Sequence, residues 1–242
     1  MILTAHQPAY LPWLGLFHKI ALSDAFCYFD EVQYLKKDWN NRNKIKTSNG
    51  EIWLTVPVLT KGYREKRIRE IEINNSTNWR KKHWRSIYFA YKKAHYFRKY
   101  SDFFKETYEK EWHHLTDLNE YLLKYFLKEL EIKVEYHKAS ELNFKGHKLS
   151  LVLDMCKKLG ANLYIFGVLG KDYAKEGEFS QVGIKIYFQD YMHPVYSQPG
   201  QDFVSHMSIL DLLFNCGPNS YEILMMGNTT KEELKKKFKM KQ

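Results

Sequence analysis

Cysteine is scarce in this chain of 242 residues. Cys27, Cys156 and Cys216 are far apart, odd in number and set in apolar sequence with no CxxC spacing. That argues against a zinc knuckle or a disulfide framework and leaves buried thiols in a reducing compartment as the expectation. No apolar run approaches the roughly 20 residues of a membrane helix. The start runs into Ile2-Leu3 with no basic segment ahead of it, so no secretory signal and a cytoplasmic location are expected. HExxH, GxSxG and GxxxxGK[ST] are all missing, which argues against zinc proteases, serine hydrolases and Walker-type NTPases. His83, His113, His114 and His193 have no ligand-like spacing with carboxylates, so no metal is expected, and nothing in the sequence names a cofactor.

Apolar residues are plentiful, at 44%, enough for a full core in one large domain or a domain with an insertion. The net charge of +10 suits anionic partners such as phosphates, nucleotides, RNA or lipid headgroups, and it equally suits plain solubility.

Periodicity organises the chain. Ile2 to Ala5 reads as a strand, Trp13, Leu16, Phe17 and Ile20 as a helix begun at Pro12, and Ala25 to Phe29 as a second strand. Strand, helix, strand is a βαβ unit and predicts a parallel sheet. A turn at Asn49-Gly50 precedes a strand over Ile52 to Val58, and Ile68, Ile71 and Ile73 predict an extended segment. The middle is helical. After Ser140 the alternation returns: a helix ending at Gly160, strands at Leu163 to Phe166 and Ile184 to Phe188, and a helix from Ile209 stopped at Gly217-Pro218. The tail from Lys231 has few anchors and is expected to fray. The reading is one α/β domain over 1–242, a mostly parallel sheet with flanking helices and a helical insertion near 75–145.

Five stretches carry candidate chemistry. His6, Gln7 and Tyr10 lie between a strand and a turn fixed by Pro8 and Pro12, and histidine is suited to moving protons near neutral pH. The plainer alternative is a capped turn with satisfied hydrogen bonds. Asp30, after the second strand, could orient that histidine, with Gln33 nearby; the alternative is a solvated carboxylate. Asn40 to Lys44 offers donors for phosphate or carboxylate, above all Arg42, Asn43 and Lys44, or is a surface loop. The turn Gly167 to Tyr173, with Gly170 and Lys171, could cradle phosphate. A basic helix carrying Trp79, Trp84, Tyr88 and Tyr91 could bind RNA, although aromatics on one stripe also mark core.

The chain resembles the WbqC-like family of bacterial proteins through HQPAYLPWLGLFHKIALSDAFCYFDEVQY, NNRNKIK with WLTVPV, and IYFQDYMHPVYSQ through HMSILDLLFNCG. It departs at Phe166, where the family more often has a small residue before Gly167. The resemblance implies an acyl or aminoacyl (glycine) transferase acting on an amino sugar or its nucleotide in surface polysaccharide (O-antigen) biosynthesis. It implies polar positions at His6, Gln7, Tyr10, Asp30, Gln33, Arg42, Asn43, Gln198, Asp211 and Asn215. The rival class is a non-catalytic module binding a nucleotide-sugar or an RNA such as tRNA. A shorter stretch, FGVLGKDY, with the opening βαβ unit, looks like the nucleotidylyl-transfer fold of pantothenate synthetase, but the second histidine of HxGH is missing. On these residues His6 is the expected base and Asp30 its orienting partner. The acyl donor, the sugar and the oligomeric state stay open.

Overall fold

Five short strands dominate the architecture, and their apolar runs explain why. β1 (Ile2–His6), β2 (Ala25–Tyr28) and the later β6 (Leu163–Phe166) are buried almost throughout, as strands covered on both faces must be. The computed structural model describes residues 1–200 and 202–240. Chain order runs β1, α1 (Leu14–Ala21), β2, a hairpin of β3 (Arg42–Thr47) and β4 (Gly50–Thr55), then α2 (Trp79–Tyr91), α3 (Phe97–Glu109) and α4 (Leu115–Glu129). β5 (Glu135–Lys138), α5 (Ala139–Leu142), α6 (Leu149–Lys158), β6, α7 (Glu176–Ser180) and β7 (Lys185–Phe188) follow, and α8 (Ile209–Cys216), α9 (Ser220–Met225) and α10 (Lys231–Lys237) end the chain.

The sheet is five-stranded and parallel, in the order β5-β2-β1-β6-β7. The chain therefore winds outward from β1 in both directions, and a switch point lies between β1 and β6. The two faces take alternate residues. Phe26 and Tyr28 meet α1, α4 and α8 in one cluster through Phe17, Ile20, Phe126 and Leu210. Leu3, Ala5, Cys27 and Phe166 meet Met155 and Cys156 of α6 and Phe179 of α7. All three cysteines are buried free thiols, and burial pushes Cys27 and Cys156 up to about 12, which makes them poor nucleophiles.

The α/β fold and its parallel sheet match the sequence reading, and three local expectations change. Ile68, Ile71 and Ile73 do not form an extended segment. The first begins a 3-10 turn over Ile68–Glu70, Ile73 makes a single bridge to Val58, and all three are buried anchors of a loop. The span near 75–145 is not helical throughout: between α4 and the single turn of α5, β5 is an edge strand of the main sheet, with too polar a sequence to read as one. The tail does not fray over its described part. Thr230 and Glu233 form a capping box at the start of α10, Leu234 is fully buried against Leu22, Leu163 and Ile165, and Lys231 pairs with Asp24 at 2.6 Å. Residues 241 and 242 of that tail lie outside the described residues.

An anchored α10 has a measurable consequence. Leu234→Ala should cost about 2–4 kcal/mol in urea unfolding, whereas a frayed tail would keep the change within about 0.5 kcal/mol.

Candidate functional site

Beyond Thr4 the ladder joining β1 to β6 stops, while the ladder joining β1 to β2 continues to His6 opposite Tyr28. The strands part at the switch point, where open parallel sheets bind ligands at their carboxyl ends. A pocket of about 210 Å³ opens beside the carboxyl end of β1, lined by His6, Ala9, Pro12, Trp13, Leu16, Trp39, Asn43 and His206.

Its walls come from three segments knit by main-chain hydrogen bonds. Ile209 N–H donates to Pro12 O at 2.8 Å, Ser208 N–H to Lys44 O at 3.0 Å, and Tyr10 N–H to Trp39 O at 3.0 Å. Asn43 is buried and donates its amide to Leu11 O at 2.6 Å. That bond helps hold Leu11 at φ +46°, a left-handed conformation costing about 1–2 kcal/mol. His206 sits at φ +60° and stacks on Trp13 with ring centroids 5.8 Å apart. Gly15 completes this wall: a Cβ there would stand 2.3 Å from the Trp13 ring, so only glycine lets the indole lie across the first turn of α1.

His6 lies at the mouth of the switch point. Its Nδ1–H donates to Gln7 O at 2.7 Å, which leaves Nε2 unprotonated in the neutral ring. Burial, and then the charge of Lys19, hold the ring near a pKa of about 3.

The other expected site residues divide. Asn43 joins His6 at the pocket, and Arg42 and Lys44 stand at its rim, over the Trp53 ring at 4.4 and 5.1 Å. Trp53 in turn packs on the exposed pocket residue Trp39 at 5.3 Å. Arg42 donates to Lys37 O and Lys44 pairs with Glu51. Gln7 donates to Asp38 at 3.3 Å.

Asp30 does not touch His6. Its two carboxylate oxygens accept from the Ser140 N–H and hydroxyl at 2.9 and 2.7 Å, capping α5 beside the neighbouring strand. Tyr10 points into the core, where its hydroxyl meets His83 Nδ1 at 2.8 Å and the Tyr108 hydroxyl. Because His83 Nε2–H donates to Thr55 O at 3.2 Å, Nδ1 accepts and Tyr10 donates to it. Gln33 donates to Arg64 O at 2.6 Å, outside the pocket lining.

Gln198, Asp211 and Asn215 support the wall behind His206. Asp211 is buried, accepts from Gln198 at 2.5 Å and Tyr196 at 2.9 Å, and burial raises its pKa. Gln198 exchanges bonds of 2.9 and 2.8 Å with Val204, and Asn215 donates to Asp211 O at 2.7 Å. Gly170 lies against Phe166, where a Cβ would come within 2.5 Å of that side chain, which gives the glycine a packing reason; Lys171 is exposed beside it.

Sequence reasoning missed Trp39, Trp53, His206 and Lys19. A tryptophan in the polar stretch Lys36 to Lys44 was the available signal for Trp39, and Trp53 lay hidden in the apolar run of its strand. Among the described residues no group of three His, Cys, Asp or Glu side chains gathers to hold a metal ion. No helix among them is long and apolar enough to cross a membrane.

Acid should unfold this protein in a specific window. Burial lowers His6 to about 3 and His83 to about 4, and it lowers His18 and His193 as well. Between those values and about 6.5 the unfolded chain binds more protons, so stability present above pH 6.5 is lost as pH falls. The melting temperature by circular dichroism should drop steadily from about pH 6.5 to 4, and His83→Gln should flatten that slope.

No solved structure matches the chain. The uncharacterized protein Rv1507c of Mycobacterium tuberculosis is 36% identical over 220 residues, covering 90% of this chain and 95% of that one. The model of the WbqC-like protein family matches residues 7–223, and the chain belongs to that family.

Proposed function

We propose that the protein transfers an acyl or aminoacyl group to the amine of an amino sugar carried on a nucleotide, in the building of surface polysaccharide (O-antigen). Glycine is the group the family resemblance implies. The observation that carries this reading is His6: a neutral imidazole with an unprotonated Nε2, lining an aromatic-walled pocket at the switch point. An amine that attacks a carbonyl forms a C–N bond, expels the donor's leaving group and sheds a proton. Nε2 can take that proton as the bond forms. With a pKa of about 3 the ring is a weak base, and a substrate anion seated nearby would raise it by offsetting the Lys19 charge.

The rim supplies recognition for the rest of the acceptor. Trp39 and Trp53 are exposed and offer faces to a base or sugar ring. Arg42 and Lys44 stand beside them for phosphate oxygens. Asp30 has no part in this scheme, since Ser140 holds its carboxylate, and Gln7 O takes over as the group that orients His6.

The same low basicity favours a second reading, a non-catalytic nucleotide-sugar-binding module in which Nε2 only accepts a hydrogen bond. One experiment separates them. Protein incubated with an amino-sugar nucleotide and candidate donors (glycyl-tRNA, a carrier thioester, or glycine with ATP) should yield, by mass spectrometry, a product heavier by one acyl unit. His6→Ala should lower that turnover about 10²–10⁴-fold with acceptor binding and melting temperature nearly unchanged. Acceptor binding without product from any donor supports the binding module, and wild-type turnover in His6→Ala removes the base assignment.

A further inference from the structure

Lys19 is a buried charge for which the described residues supply no counter-charge within ion-pair distance. It lies on α1, one helical turn past Leu16 of the pocket lining, and is 5% exposed. Its Nζ donates to Ala5 O at 3.0 Å. The last pair joining β1 to β6 is Thr4 with Ile165, so Ala5 is the first β1 residue past that ladder. The ammonium therefore stands where the two strands part.

Among the described residues no carboxylate lies within ion-pair distance of Lys19, and Ala5 O is the acceptor its three N–H groups find. Lys46, the other buried lysine, also donates to a carbonyl, Asp202 O, but the Asp211 carboxylate feels its charge, and the more exposed lysines find carboxylates directly. Lys231 and Lys138 pair with Asp24 and Glu120 at 2.6 and 2.9 Å. An ammonium taken out of water without a counter-charge is expensive, and proteins rarely keep one without a partner.

His6, next in the chain to the Ala5 carbonyl that Lys19 holds, makes the position less comfortable. The Lys19 charge is one of the causes that depress His6, so the two basic groups face one small region. Burial also draws Lys19 down to about 8, which leaves it mostly protonated at neutral pH. Both groups gain if one anion sits between them.

We propose that Lys19 is the anchor of an anion-binding site at the parting of β1 and β6, taking an oxygen of a phosphate or a carboxylate of the ligand. The site stands apart from the transfer reaction: it holds for a transferase and for a binding module, and anion binding can succeed where no turnover is found. Phosphate and carboxylate share the chemistry of an oxyanion accepting from an ammonium, and separate probes distinguish them.

The test is thermal unfolding of the full chain with sodium pyrophosphate or with glycine, each against sodium chloride at equal ionic strength. One of the two probes should raise the wild-type melting temperature saturably, by about 5–10 °C at roughly 100 times Kd. Lys19→Arg should keep most of that rise. Lys19→Met should lose it and, without the probe, melt no lower than wild type, because an uncompensated buried charge is gone. A pyrophosphate response identifies phosphate, and a glycine response identifies carboxylate. No response from wild type, or an equal response from Lys19→Met, overturns the proposal. If Lys19→Met does not fold, acetic anhydride labelling of the wild type decides, read by peptide mass spectrometry. The probe should slow acetylation of Lys19 at least threefold while exposed lysines such as Lys171 are unaffected. Labelling that is unchanged, or absent with and without probe, counts against the site, since a pocket that admits phosphate also admits the anhydride.

Discussion

β1 is hydrogen-bonded on both edges, but its two ladders have different lengths. With β2 it pairs from Leu3 to His6, and with β6 it stops at Thr4. A parallel sheet wound outward from a central strand leaves a gap at its carboxyl end, because the connections on its two sides leave to opposite faces. His6 and the Ala5 carbonyl that receives Lys19 both lie beyond the last pair with β6. The Thr4 hydroxyl marks the last tie, donating to Ile165 O at 2.8 Å.

The asparagine-rich run does a different job from the one its composition suggests. Asn40, Asn41 and Asn43 are buried and donate to Pro8 O, Val56 O and Leu11 O at 2.8, 2.8 and 2.6 Å. Asn119 of α4 donates to Asn40 O at 2.8 Å. These amides stand in for a sheet: they satisfy carbonyls in loops that cannot pair regularly because Pro8 and Pro12 interrupt them. Short side chains with fixed donors make the pocket wall rigid, which suits the transfer proposed above, where an amine is held in one position.

Much of this was legible from sequence. The apolar runs at Ile2, Ala25 and Leu163 could only be covered strands, and Pro12 with the following three-and-four spacing could only open a helix. His6 was legible too, as a polar residue at a strand end. What failed was pairing at long range. Asp30 and His6 both follow neighbouring strands, but Ser140, 110 positions away, reaches Asp30 first. Tyr10 looked like a loop residue because its partners, His83 and Tyr108, come from helices far along the chain. Lys19 escaped notice for the opposite reason. A lysine late in an amphipathic helix reads as a solvated cation favoured by the helix dipole, and nothing local reports that its end turns under β1.

The strand at the centre of the sheet is also the first of the five in chain order. β2 follows β1 closely, but the Ile165 carbonyl that receives the Thr4 hydroxyl is 161 residues further on. At ordinary rates of translation that is roughly 10–30 s of synthesis during which β1 has one edge unpaired. The nascent chain can assemble β1, α1, β2 and the helices of the middle segment, and it then carries an open, apolar strand edge until β6 emerges. Such an edge is a template for pairing with other chains. Truncated or slowly translated forms of this protein are thus exposed to aggregation at the very strand whose carboxyl end borders the pocket, and the central pairing of the sheet is completed only after most of the chain has been made.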